Sequence, residues 1–164
     1  MTLQHSLFGS IDISKRRTLQ ATSSLDGTSI ALDLNLDGHQ SLESVTQLLS
    51  WVDKLPELDR RARAALSKDV SSGDEDASTL LYVEHHRDEL PDAAIEQLFG
   101  STDRALVDGD SVLPKLQLLR AGLYPEAKGA ALVLDYSLSA SLTNYVLCVT
   151  FDEEGHVSDV TVES

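Results

Sequence analysis

Between Thr28 and Asp37 the apolar side chains fall at every second position. Ile30, Leu32, Leu34 and Leu36 alternate with Ala31, Asp33 and Asn35. A period of two predicts a strand with one face buried and the other wet. Asp26-Gly27 stands just before it, and this dipeptide favours a tight hairpin turn, where both central residues take positive φ. Segments 17–24 and 28–36 should therefore pair, and a shorter strand is expected earlier, around Ile11 and Ile13.

From Leu42 the period lengthens. Leu42, Val45, Leu48, Leu49, Val52 and Leu55 make a helical stripe, with Ser41 placed to cap it. Pro56 ends this helix or begins the next. Leu58, Ala62, Leu66 and Val70 mark a second helix, with Arg60, Arg61 and Arg63 off its inner face. "SSGDEDAS" reads as a loop, and "STLLYVEHHRDEL" and "PDAAIEQLFG" as two short helices. Pro91 suits a first helical turn, and Gly100 suits the position just past a helix end. "SVLPKLQLLRAG" reads as one more helix, with Val112, Leu116 and Leu119 facing inward and Gly122 closing it.

Three strands follow. "GAALVLDYSL" places Leu132, Leu134, Tyr136 and Leu138 on one face. "YVLCVTF" is apolar on both faces, which predicts a central strand covered on both sides. "HVSDVTVES" should pair back onto it, with "FDEEGH" as a turn that puts Gly155 in the left-handed region. Asp152, Glu153 and Glu154 are then turn residues. The expected architecture is one α+β domain over residues 1–164. Its sheet is mostly antiparallel, built from an N-terminal hairpin and a C-terminal three-strand meander, with four to five helices inserted between them.

Charge adds a functional direction. The formal net charge is -14 over 164 residues. Twelve acids and only Arg87 and Arg104 lie between Asp69 and Asp110, a net of -10 in that segment. Such a surface repels nucleic acid and anionic lipid. It attracts a basic protein and speeds encounter with it. No apolar run reaches the ~20 residues needed to span a bilayer, and the opening "MTLQHSLFGSIDISKRR" lacks the pattern of a signal peptide. With Cys148 as the single cysteine, a cytoplasmic, reducing location is expected.

Candidate chemistry is sparse. Asp33, Asn35, Asp37 and Gly38 match the opening of a calcium loop, but its twelfth position is Ser44 rather than glutamate. A strand running into a turn is the expectation there. His85 and His86 lie three residues from Asp88 and Glu89, without a third metal ligand nearby, and read as exposed residues of a short amphipathic helix. Cys148 reads as a small core residue. Lys15, Arg16 and Arg17 form a short basic cluster, too small in so acidic a chain for a nucleic-acid site. Glycine-rich phosphate loops and a nucleophile elbow are absent, so no cofactor is expected.

The C-terminal segment "GLYPEAKGAALVLDYSLSASLTNYVLCVTFDEEGHVSDVTVES" resembles a bacterial family known as domain of unknown function two thousand and four. The likeness rests on Gly122-Leu123-Tyr124-Pro125, Leu134-Asp135-Tyr136-Ser137, "NYVLCVTFDEEG" and the closing Glu163-Ser164. "TSIALDLNLD" and "LDRRARAAL" fit the same pattern. The resemblance implies a small cytosolic bacterial protein, of a sort associated with immunity to contact-dependent toxins. The two readings are then a binding protein and an enzyme. The first inhibits a basic partner, such as a toxin, through Glu84, Asp88, Glu89 and Asp92. The second is a small hydrolase using His85 and His86.

Overall fold

The computed structural model describes residues 1–164. Strands β3 (Arg16–Leu25) and β4 (Thr28–Asp37) form the hairpin expected from the alternating pattern. Asp26 and Gly27 close it at φ 50° and 80°, the mirror-image turn that matches strand twist. Four helices follow: α1 (Leu42–Val52), α2 (Leu55–Val70), α3 (Ser78–Glu89) and α4 (Asp92–Phe99). Ser41 caps α1 by accepting the Ser44 N–H at 3.1 Å. Gly100 ends α4 at φ 72°. A one-turn helix, α5 (Gly109–Val112), precedes strands β5 (Gln117–Leu123), β6 (Leu132–Ser137), β7 (Val146–Phe151) and β8 (Val157–Glu163).

The six long strands make one sheet in the order β3-β4-β5-β6-β7-β8. All neighbours are antiparallel except β4 and β5, which are parallel. The sheet is therefore mixed, and the expectation of a mostly antiparallel sheet built from a hairpin and a meander needs one correction. The helix expected over 111–122 is a single turn of α5, a 3-10 turn at Leu113–Lys115, and then β5. Pro114 removes the N–H that would continue the helix. Beyond it "QLLRAGL" is a short apolar run, which periodicity alone does not assign to helix or strand. As β5 it joins the N-terminal hairpin to the C-terminal meander.

One face of the sheet carries the core. Ile30, Leu32, Leu34 and Leu36 of β4 lie on it, with Ala121 and Leu123 of β5, Leu132, Leu134 and Tyr136 of β6, and Leu147, Val149 and Phe151 of β7. Val45, Leu48 and Leu49 of α1 and Leu58, Ala62 and Leu66 of α2 complete the same buried cluster. The first residues make a separate two-stranded hairpin, β1 (Thr2–His5) with β2 (Gly9–Asp12). Ile11 and Ile13 join the core, and buried Gln40 ties this hairpin down. Its amide donates to the Ile13 carbonyl while its oxygen accepts from the Asp37 and Gly38 N–H groups.

The other sheet face looks to solvent. Its residues include Thr18 and Thr22 of β3, Asp33 and Asn35 of β4, Arg120 of β5, Asp135 of β6, and Asp159 and Glu163 of β8. "YVLCVTF" is accordingly not a central strand covered on both sides. It is second from an edge, and Val146 and Thr150 on the open face are half-buried. Cys148 between them is 6% exposed, under Asp135, Thr161 and Glu163.

Candidate functional site

Helix α3 lies along the last two strands and against the loop that joins β6 to β7. Its inward positions Thr79, Tyr82, Val83 and His86 repeat at three- and four-residue spacing. Asp69 of α2 accepts the Thr79 N–H at 2.9 Å, satisfying one of the orphan donors of the first turn. Burial of His86, 1% exposed, corrects the expectation that both histidines are surface residues. Only His85 is exposed.

His86 and Tyr82 belong to a closed hydrogen-bond circuit. His86 Nδ1 lies 2.7 Å from the Tyr82 carbonyl and Nε2 lies 2.8 Å from Thr143 Oγ1. A carbonyl only accepts, so Nδ1 carries the proton and Nε2 accepts from the Thr143 hydroxyl. Thr143 Oγ1 in turn accepts the Tyr145 N–H at 3.1 Å. The Tyr82 hydroxyl donates to the Tyr145 carbonyl at 3.2 Å and accepts the Leu138 N–H at 3.1 Å. Both backbone groups of Tyr145 are thus held from beneath. Burial pushes the His86 pKa down and the Tyr82 pKa up, so both stay neutral.

What the circuit holds up is apolar. Tyr145 is 39% exposed and Leu81 is 45% exposed. The His85 ring meets the Tyr145 ring edge-on at 4.5 Å. Two adjoining hollows share His85, His86 and Tyr145. One of about 520 Å³ runs toward Leu81, Val162 and Glu163. The other, about 370 Å³, runs toward Glu89, Pro91 and Leu142.

The four acids expected to meet a partner stand on α3 and at the start of α4, but they are not equivalent. Asp88 bonds Arg87 at 2.9 Å, and Asp92 bonds Arg104 at 2.8 Å. The Arg87 bond holds the Asp88 carboxyl below its usual pKa. Glu84 and Glu89 have no ion pair, and neither does Glu163 at the end of edge strand β8, whose register turns it to the open face beside Cys148. Glu89 and Glu163 line the hollows themselves. Sequence reading placed the acids correctly on short helices. It missed Leu81 and Glu163, held Tyr145 only as a sheet residue to test beside Tyr136, and had no means of telling paired acids from free ones.

Elsewhere several polar groups satisfy one another. On the open face Arg120 bonds Asp33, reaches Asp135 at 3.3 Å, and donates to the Tyr124 hydroxyl at 3.2 Å. Burial works against its charge, but the bonds to Tyr124 and Asp33 together raise the guanidinium pKa. Gly122 lies under this group; a Cβ there would meet the Tyr124 ring at 2.9 Å. Asp33, read in the sequence as part of a calcium-like opening, is thus a partner of Arg120. The largest hollow, about 670 Å³, lies at the ends of β3, β4 and β5, where Arg16 and Arg17 face Asp37 and Glu126. Asn35 there accepts from Thr18 and donates to the Leu123 carbonyl, and Glu126 accepts the Ser41 N–H.

Under the helices Tyr136, fully buried, donates to Asp59 at 2.7 Å, and Asp59 also accepts from Arg63. Cys148 has its thiol pKa pushed up to about 12, first by burial and then by the Asp135 carboxylate. The Asp152–Glu154 acids form a turn, in which Asp152 accepts the Glu154 and His156 N–H groups at 2.9 Å. No three His, Cys, Asp or Glu side chains converge on one point. No helix is long and apolar enough to cross a membrane. Comparison with family models, curated proteins and solved structures finds no match.

Proposed function

We propose that the chain is an acidic binding protein of immunity type, whose groove between α3 and β8 receives a basic protein partner such as a toxin. One observation carries this reading. Leu81 and Tyr145 stand exposed beside two hollows, whose lining includes Glu89 and, at the sheet edge, Glu163, neither of which makes an ion pair. Exposed apolar side chains with a charged border make the usual anatomy of a recognition surface: a desolvated centre holds the complex and the rim steers it. The partner class follows from the border. A chain bringing lysine or arginine near Glu89 and Glu163, with Glu84 farther along α3, meets acids that make no ion pair.

The hydrolase reading has less to draw on. General-base catalysis needs a nitrogen free to take a proton. Both His86 nitrogens are engaged, and His85 makes no hydrogen bond to a candidate nucleophile. Restricted to its coarse form, the proposal is protein binding; inhibition of a toxin rests on the family resemblance and on charge.

The test is site-specific photocrosslinking in the native host. A benzophenone side chain at position 81 or 145 should capture one basic protein, and the same group at Thr150 on the open sheet face should not. Capture of the same proteins from all three positions, or of an acidic partner, would remove the groove from consideration.

A further inference from the structure

The sheet ends in two edges, and they are not equally defended. Strand β8 is seven residues long with Asp159 and Glu163 in it. Its pairing with β7 shifts register between Thr150 and Phe151. The Val160 N–H is taken by Asp159 Oδ1 at 2.9 Å, and α3 packs along the strand. Such devices keep other strands away. Strand β3 has only one of them, the charges of Arg16 and Arg17 at its first two positions. It is ten residues long, "RRTLQATSSL", without Pro, Gly, Lys, Asp, Glu or a bulge, and β4 is its only neighbour.

Turn geometry fixes which backbone groups point outward. The Asp26-Gly27 turn closes on the Leu25/Thr28 pair, which exchanges both its bonds. By alternation the odd residues of β3 bond β4, and Thr18, Gln20, Thr22 and Ser24 turn their N–H and C=O groups away from the sheet. None of these backbone groups has a partner elsewhere. The charge is also unlike the rest of the chain. Lys15, Arg16 and Arg17 are followed by no acid until Asp26, so residues 15–25 carry three positive charges in a chain of net -14.

We propose that β3 is a self-association edge, on which β3 of a second copy pairs antiparallel about Ala21. The register follows from two requirements. Helix-side residues must face helix-side residues, which restricts the symmetric pairings to those centred on a residue. Centring on Ala21 sets Thr18 opposite Ser24 and Gln20 opposite Thr22 of the second copy, so the outward backbone groups meet one another. It also sets Arg16 opposite Asp26 at both ends. Centring on Gln20 instead leaves Arg16 opposite Ser24 and Asp26 unmatched. Leu19, Ala21 and Leu25, half-buried at the rim of the core, become covered by the second sheet. In this register Arg16 and Asp26 come within the ~8 Å screening length at physiological salt at both ends of the pairing.

Sedimentation velocity of the full chain decides the matter. The mass should rise from 17.8 kDa toward twice that value as concentration increases. Thr22→Pro should abolish the rise, because the lost N–H points outward and the β4 ladder stays whole. Arg16→Glu, an exposed change that leaves folding intact, should weaken association about tenfold by facing Asp26 with a like charge. Mild oxidation should crosslink Ala21→Cys into a dimer, since non-bonded antiparallel pairs bring Cα atoms to about 4.5 Å. Gln20→Cys should crosslink poorly. A wild-type chain of single mass at about 500 µM, where even a weak dimer of Kd ~1 mM would be visibly populated, overturns the proposal. So does crosslinking of Gln20→Cys in preference to Ala21→Cys.

Discussion

The groove at α3 and the Arg120 cluster on the open sheet face use similar parts to opposite ends. Each contains a tyrosine hydroxyl, a nitrogen base and several carboxylates. On the open face these groups satisfy one another: Arg120 is shared by Asp33, Asp135 and Tyr124. At the groove the polar groups of Tyr82, His86 and Thr143 are spent underneath, on the backbone of Tyr145. Apolar rings and unpaired acids are what remain for solvent. A surface is available to a partner when its own chain has not already answered its charges and covered its rings.

The largest effect should come from breaking the circuit under the groove. His86→Ala removes a fully buried ring together with its hydrogen bonds to the Tyr82 carbonyl and the Thr143 hydroxyl. A loss of about 2–4 kcal/mol is expected in urea unfolding. Tyr145→Ala, which is at the surface, should leave stability within about 1 kcal/mol and abolish crosslink-detected binding. Equal stability losses for the two would mean that Tyr145 is packed for the fold rather than held out for a partner.

His86 also sets a pH dependence. Burial depresses its pKa in the folded state, so the unfolded chain binds a proton first as pH falls. Its contribution is whole above the ordinary histidine pKa of ~6.5 and is lost below it, at up to about 1.4 kcal/mol per pH unit. Protonation turns Nε2 from an acceptor into a donor, so the Thr143 hydroxyl has to turn its own proton elsewhere and accept. Stability against pH between 5 and 8, compared with His86→Ala, isolates this contribution. A slope that persists in the variant would assign it to other groups.

Arg120→Gln tests the other member of the comparison. It removes two partly covered ion pairs, to Asp33 and Asp135, but keeps a hydrogen-bond donor, so about 1 kcal/mol is expected after solvent screening, with partner binding unchanged. Loss of binding would move the site to the open face. The smallest effect belongs to Thr79, fully buried with its hydroxyl unpartnered. Thr79→Val should be neutral or stabilising by up to about 1 kcal/mol, read in the same unfolding assay.

Much of this fold was legible in residue periods. The β3–β4 hairpin follows from Asp-Gly beside a period-two run, and α1 from a stripe with a serine cap. The failure at β5 is instructive. Leu116, Leu118, Leu119 and Leu123 fit a helix as well as a strand, and the decision is made by distant β4 and β6, which take up the backbone bonds of β5. The groove was legible only in part. Acidic helices show in the sequence as charge, but ion pairing depends on Arg104 folding back to Asp92 and to the Arg87 carbonyl. Burial of His86 beside exposed His85 follows from helical phase against Tyr82 and Val83, a signal present in the sequence. The role of Tyr145 depends on contacts across 57 and 63 residues of chain, and no local pattern carries it.

The central claim is that the unpaired acids beside Leu81 and Tyr145 receive a basic partner. The most direct measurement is stopped-flow association of the captured partner with two double variants of identical charge change. Glu84→Lys with Glu89→Lys reverses acids that are free. Asp88→Lys with Asp92→Lys reverses acids already held by Arg87 and Arg104. The first pair should slow association by about tenfold or more and flatten its salt dependence, and the second should have a clearly smaller effect. Equal slowing by both would mean that only net charge matters, and unchanged rates in both would contradict the groove as the binding site.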